Sequence, residues 1–344
     1  MAKRNFSMIE YFIWRAENWK PLLAFDGKPD EAWAGWHQAA LAKLLELLGE
    51  FPEPVELAPE VIYSIEEDGL IRERVILDTE EHMSVPCVVL KPAGMANNGR
   101  GGAILCSHGH GPYGKEAVAG NASSADRAAN IAALNYNYGE QMARRGYLTI
   151  SPDLRVFGER SDGGDPYPGR DRCNVHFLRG MLLGIYTLTL NIWDMKRCID
   201  YLETRPEVDA GRIGMMGLSQ GGTMTTFTSA VEPRIKAVDI IGYMSLWGQL
   251  AIGRGATCGS QVVPDILKYL DIPDIAGLIA PRPLLIEMGV QDLTFPIEEQ
   301  LTGFAQVERI YAAAGAADRL WADVHPGGHA FASNKAFGFF DRYL

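Results

Sequence analysis

Apolar and polar positions follow three rhythms along this chain. In residues 1–50 the rhythm is helical, with Leu41, Leu44, Leu45 and Leu48 forming an apolar stripe. Phe51-Pro-Glu-Pro54 stops it, because proline lacks a backbone donor and restricts its predecessor. From about Val61 to Leu90 the rhythm is that of strands. Val75-Ile-Leu77 and Val88-Val-Leu90 are aliphatic runs separated by polar Asp78-Thr-Glu-Glu-His82. Asn97-Asn-Gly-Arg-Gly-Gly102 reads as a turn or loop.

Beyond it, short apolar runs alternate with amphipathic stretches. Strands are expected at Ala103–Cys106, Tyr147–Ile150, Ile213–Met216, Ile235–Ile241, Leu284–Met288 and Leu320–Val324. Between them, one helix ends at Arg144-Arg145, with Gly146 fit for the left-handed residue that follows a helix. Ile185, Leu188, Ile192, Met195, Ile199 and Leu202 lie on one face of a long helix. Further helices are expected from Gln220, over Leu301–Ala313 and over Phe331–Tyr343. Alternating strands and helices imply an α/β fold, with a mostly parallel sheet covered on both faces. Its chemistry belongs in loops at the carboxyl ends of the strands.

Composition removes several alternatives. A chain of 344 residues with 47% apolar and 22% charged residues can bury a large core and is not disordered. The net charge of −11 repels phosphate backbones, so no nucleic-acid partner is expected. No apolar run approaches 18 residues and no signal-like segment opens the chain, so a cytoplasmic protein without a membrane span is expected. The five cysteines include no CxxC pair, and the histidine spacing suggests no metal site.

One motif stands at the right place for nucleophilic chemistry. Gly217-Leu-Ser219-Gln-Gly221 follows an expected strand and opens an expected helix. Among 37 glycines a lone Gly-x-Ser-x-Gly is a weak signal, and its strand–turn–helix context supplies the specificity. Gly217 and Gly221 relieve crowding in the turn that presents Ser219. A serine hydroxyl needs a base, and the base needs an orienting carboxylate. Asp292, in the loop after strand Leu284–Met288, is the acid that fits. A turn aspartate is its bland alternative. His329, in His325-Pro-Gly-Gly-His329, is preferred as base over His325. The backbone N–H groups of Gln220 and His110 are the expected oxyanion donors, His110 lying in Ser107-His-Gly-His-Gly111. His108 fits better as a structural hydrogen-bonder.

Together these segments, with Asp153-Leu-Arg-Val-Phe-Gly-Glu-Arg160, resemble the dienelactone hydrolase-like and acetyl xylan esterase-like α/β-hydrolases. The resemblance spans residues 103–331. It implies an eight-stranded, mostly parallel sheet, a Ser219-Asp292-His329 triad and no cofactor. Dienelactone hydrolases proper carry a cysteine nucleophile, and this chain has Ser219.

The expected organisation is a helical N-terminal extension over 1–60 and a catalytic domain over 61–344. The extension is a candidate cap, homo-oligomer interface or extra core. Two irregular segments, 155–180 with Phe157 and Tyr167, and 246–278 with Trp247, Cys258 and Tyr269, are candidate pocket walls. The expected function is a serine carboxylesterase acting on a small-molecule ester with a short, acetyl-type acyl group. A serine peptidase or amidase on the same scaffold is the alternative, ahead of a non-catalytic binding protein.

Overall fold

The computed structural model describes residues 4–27, 31–95, 101–161 and 169–344. Nine strands form one sheet: β1 Glu60–Glu67, β2 Leu70–Glu80, β3 Met83–Pro92, β4 Gly101–Ser107, β5 Leu148–Pro152, β6 Val208–Leu218, β7 Ile235–Ile241, β8 Leu284–Gly289 and β9 Leu320–His325. Their order is β1-β2-β3-β5-β4-β6-β7-β8-β9. The pairings among β1, β2, β3 and β5 are antiparallel, and every pairing from β5 through β4 to β9 is parallel.

The helices in the first half are α1 Met8–Glu17, α2 Glu31–Leu48, α3 Gly114–Val118, α4 Ala125–Leu134, α5 Tyr138–Arg145 and α6 Arg172–Met181. Those in the second half are α7 Thr187–Thr204, α8 Gln220–Val231, α9 Ile266–Tyr269, α10 Ile272–Gly277, α11 Ile297–Ala313 and α12 Ala336–Tyr343. No described helix is long and apolar enough to cross a membrane.

The parallel centre of the sheet is buried on both faces because its strands carry apolar residues at consecutive positions. In β4, Ala103 and Leu105 join one core while Ile104 and Cys106 join the other. In β8, Leu284, Ile286 and Met288 face the first core and Leu285 the second. The first core takes Leu188, Ile192, Met195, Ile199 and Leu202 of α7, whereas Ile185, expected on the same stripe, precedes the helix and is exposed. Ala40, Leu44 and Leu48 of α2 enter the same core, while Leu45 points outward. The second core is closed by Phe339 and Phe340 of α12 and Tyr138 and Met142 of α5.

Three expectations need correction. The sheet has nine strands rather than eight. The ninth, edge strand β1, has no buried residue, so Val61, Ile62 and Ile65 are exposed and leave no half-buried alternation. The N-terminal segment is two helices rather than one helical stretch, with Pro21 and left-handed Gly27 in the break between them. The last helix begins at Ala336. Phe331–Lys335 stays irregular because its backbone is bonded elsewhere: the Phe331 N–H donates to the Leu134 carbonyl, and Ser333 has φ +60. The turn residues Asn97–Arg100 and the wall residue Tyr167 lie outside the described residues.

An ionic network backs the carboxyl ends of β4 and β5. Asp194 of α7, fully buried, accepts from Arg155 Nε at 2.9 Å and Arg160 Nη1 at 2.6 Å. Burial would raise its pKa, but Arg160 and Arg155 hold it below the ordinary carboxyl value. Asp153 accepts from buried Lys115 Nζ at 2.6 Å and from the Glu159 N–H at 3.0 Å. Asp194→Asn removes the anion shared by Arg155 and Arg160 and leaves Arg155 with Glu80 Oε1 at 2.5 Å. We expect a loss of about 3–5 kcal/mol in urea unfolding; an unchanged midpoint would show that the network contributes nothing.

Candidate active site

β6 runs straight into α8, and Ser219 is the single residue between them. Its backbone stands at φ 63 and ψ −118, a conformation that L-residues rarely adopt. The turn is that tight because the end of β4 lies beside it. A Cβ at Gly217 would sit 2.5 Å from the Gly221 carbonyl oxygen, and one at Gly221 would collide with the Ser107 carbonyl oxygen. Both obstacles are backbone and cannot rotate away. Across the turn, Gly109 is pressed against Ser219, and a Cβ there would lie 2.8 Å from the Leu218 carbonyl oxygen.

Asp292 and His329, the expected acid and base, sit on the loops after β8 and β9. Asp292 follows β8 and is 3% exposed. Its Oδ2 lies 2.7 Å from His329 Nδ1. Its Oδ1 accepts the N–H groups of Thr294 and Phe295 at 2.8 and 2.9 Å. Asp292 is thus a turn aspartate and an imidazole partner at once. Phe295 stacks on the His329 ring, with centroids 5.5 Å apart and planes 12° from parallel. Gly289 lets the His329 loop close onto β8, because a Cβ there would collide with the Gly328 carbonyl oxygen. Ser219 and His329 line one pocket of about 410 Å³. No hydrogen bond joins Ser219 to His329 among the described residues. Such bonds often tighten only around substrate.

His325 does not line that pocket. Its Nδ1 accepts the Gly327 N–H at 3.2 Å, and its carbonyl accepts from Val290 at 2.9 Å, so it shapes the loop. His108 is fully buried, with Nε2 accepting the Leu154 N–H at 2.9 Å and Nδ1 donating to the Gly109 carbonyl at 2.7 Å. Burial pushes its pKa below the ordinary imidazole value, which fits this neutral role as a strut. The strut ties the loop after β4 to the Asp153–Arg160 segment. His110, on the same loop, lines the Ser219 pocket and is exposed. Gln220 is the first residue of α8, where backbone N–H groups have no partner within the helix. Its side chain is anchored on Ser260 Oγ at 2.9 Å.

The abhydrolase family profile matches residues 15–322. The chain belongs to the abhydrolase family. YtaP of Bacillus subtilis (strain 168), provisionally named a hydrolase, is 28% identical over 312 residues, covering 88% of this chain and 98% of that protein. A Bacteroides fragilis NCTC 9343 protein, provisionally named an acetyl xylan esterase, superposes with a TM-score of 0.77 at 20% identity, covering 94% of this chain and 83% of that one. The glucuronoyl esterase from Solibacter usitatus superposes with a TM-score of 0.67 at 16% identity, covering 94% of this chain and 97% of that one. At those identities the two structures share the fold.

In this abhydrolase both irregular segments reach the pocket, through Asp171 of the first and Thr257, Cys258 and Gln261 of the second. Trp247 is instead buried in the core. Two groupings gave no signal in the sequence. One joins His110, Cys173 and Cys258, whose donor atoms all lie within 4.8 Å of one another. The other is a set of buried acids on neighbouring strands, Asp239, Glu287 and Asp323. Glu287 Oε2 accepts the Ala332 N–H at 2.7 Å, which anchors the chain just beyond His329.

Burial raises the Glu287 pKa to about 8, with Asp323 adding to the shift. The folded protein therefore binds this proton more tightly than the unfolded chain. The stability it contributes is complete below the ordinary carboxyl range and is lost as pH rises through about 8. Glu287→Gln keeps an acceptor for Ala332 without that titration. Its unfolding free energy should gain on the wild type's between pH ~5 and ~9; parallel pH profiles would contradict the assignment.

Proposed function

We propose that this abhydrolase is a serine carboxylesterase, acting on small esters with short, acetyl-sized acyl groups through an acyl-enzyme on Ser219. The observation that carries the reading is the Asp292–His329 hydrogen bond of 2.7 Å, in a pocket shared with Ser219 on its strained turn. With Nδ1 bonded to Asp292, the other ring nitrogen is left to serve Ser219. Ser219 Oγ attacks the ester carbonyl as His329 takes its proton. The imidazolium so formed is stabilised by Asp292 and then protonates the leaving alcohol. The Gln220 and His110 N–H groups bind the oxyanion. Water, deprotonated by His329, releases the acid and restores Ser219. The esterase names of the two structural relatives support an ester over an amide. The pocket of about 410 Å³ has room for a small-molecule ester.

A fluorophosphonate probe should label the wild type and not Ser219→Ala. Ser219→Ala should lower turnover of p-nitrophenyl acetate by about 10⁶-fold, and Asp292→Asn by about 10⁴-fold. A panel of acyl lengths, acetylated sugars and anilides reads specificity. Absence of labelling would overturn the serine mechanism, and anilides turning over faster than esters would replace esterase with amidase.

A further inference from the structure

The side chains of His110, Cys173 and Cys258 play no part in the mechanism above, yet they form one grouping, and His110 and Cys258 line the Ser219 pocket. Its members come from three segments: the loop after β4, the first turn of α6, and the irregular stretch between β7 and α9. His110 Nε2 lies 3.2 Å from Cys258 Sγ, and the three donor atoms fall within 4.8 Å of one another. Cys173 and Cys258 are buried, whereas His110 is open to solvent. An ion would therefore approach from the pocket side.

The donor set and its dimensions select the ion. Two thiols and an imidazole suit zinc and other thiophilic cations, not magnesium or calcium. With Zn–S of about 2.3 Å and Zn–N of about 2.0–2.1 Å, tetrahedral ligand atoms stand roughly 3.5–3.8 Å apart. His110 Nε2 and Cys258 Sγ need separate by only a few tenths of an ångström to reach that spacing. Ser260 Oγ lies 2.9 Å from Cys258 Sγ, where its hydroxyl can donate to a metal-bound thiolate, while the nearby carboxylate is committed elsewhere. Asp171 Oδ1 accepts the Cys173 N–H at 2.8 Å, and Asp171 Oδ2 accepts from Asn174 at 3.2 Å. The protein thus supplies three ligands, and the fourth position faces the pocket.

We propose that His110, Cys173 and Cys258 bind a thiophilic divalent cation, zinc in the first instance, at the rim of the Ser219 pocket, and that its occupancy lowers turnover there. Each thiol loses its proton to solvent as its sulfur–metal bond forms, and the neutral imidazole donates its Nε2 lone pair. The bound ion joins the loop carrying the His110 N–H to the wall carrying Cys258. It also places a positive charge and a fourth ligand where the ester must enter. The binding half of the proposal is independent of the esterase reading; the turnover half rests on it.

Cobalt titration of the fully reduced protein tests the binding half. One equivalent of Co²⁺ should give thiolate-to-cobalt charge transfer and tetrahedral visible bands, both abolished by one equivalent of Zn²⁺. Cys173→Ser, Cys258→Ser and His110→Ala should each weaken binding by about tenfold or more, since losing even a partner of a ligand costs that much. Cys106→Ser, which alters a thiol in β4, should leave the spectrum intact. Circular dichroism establishes that each variant is folded, with Cys→Ala replacing any Cys→Ser that is not. No spectrum at one equivalent, or the same spectrum in both cysteine variants, overturns the site. Cys173 does not line the pocket, so Cys173→Ser should retain ester turnover and escape zinc inhibition. Equal inhibition of wild type and Cys173→Ser overturns the turnover half alone. Absence of ester turnover in metal-free wild type counts against the esterase reading and leaves the cobalt result standing.

Discussion

The carboxylate of Asp292 ties the geometry of the site together. A buried carboxylate is tolerable only when its lone pairs are filled by donors. Here one oxygen is filled by two backbone N–H groups of its own loop and the other by the His329 ring. The donors that fix the loop therefore also fix the direction of the oxygen facing the imidazole. Phe295 adds to this economy: its N–H holds the carboxylate while its ring stacks on His329. Loop, acid and ring move as one unit.

That unit meets Ser219 because of the strand order. β4, β6, β7 and β8 are successive parallel neighbours, so the loops at their carboxyl ends open on the same edge of the sheet. The turn after β6 can lie against the end of β4 only because Gly217 and Gly221 carry no side chain. Behind the β4 loop, the His108 strut and the Asp153–Lys115 pair replace solvent with fixed partners. The central part of the site is thus held by backbone contacts and buried charges rather than by flexible side chains.

What the sequence made legible follows from these constraints. The two-faced strands and the α7 stripe were readable because each buried face imposes a period. The elbow was readable because the crowding at Gly217 and Gly221 admits only glycine. Asp292 and His329 were singled out from placement, each in the loop after a recognisable strand, and the structure brings their side chains to 2.7 Å. β1 fell within the strand rhythm read from Val61, but it was not resolved as a separate strand, because an edge strand with no buried residue imposes no period. The irregular path of Phe331–Lys335 was hidden because its backbone partners, Leu134 and Glu287, lie on other elements. The His110–Cys173–Cys258 grouping was hidden for the same reason: its members are neighbours only after the chain has folded. The choice between a turn aspartate and an imidazole partner at Asp292 could not be settled from sequence, since its two oxygens do both.

The backbone at Ser219 has one more consequence. A serine held at φ 63 and ψ −118 costs of order 1–3 kcal/mol, which glycine at the same place would largely escape. The most stable residue at the tip of this turn is therefore one that cannot attack anything. On the proposed mechanism, folding stability and chemistry make opposite demands at this one position.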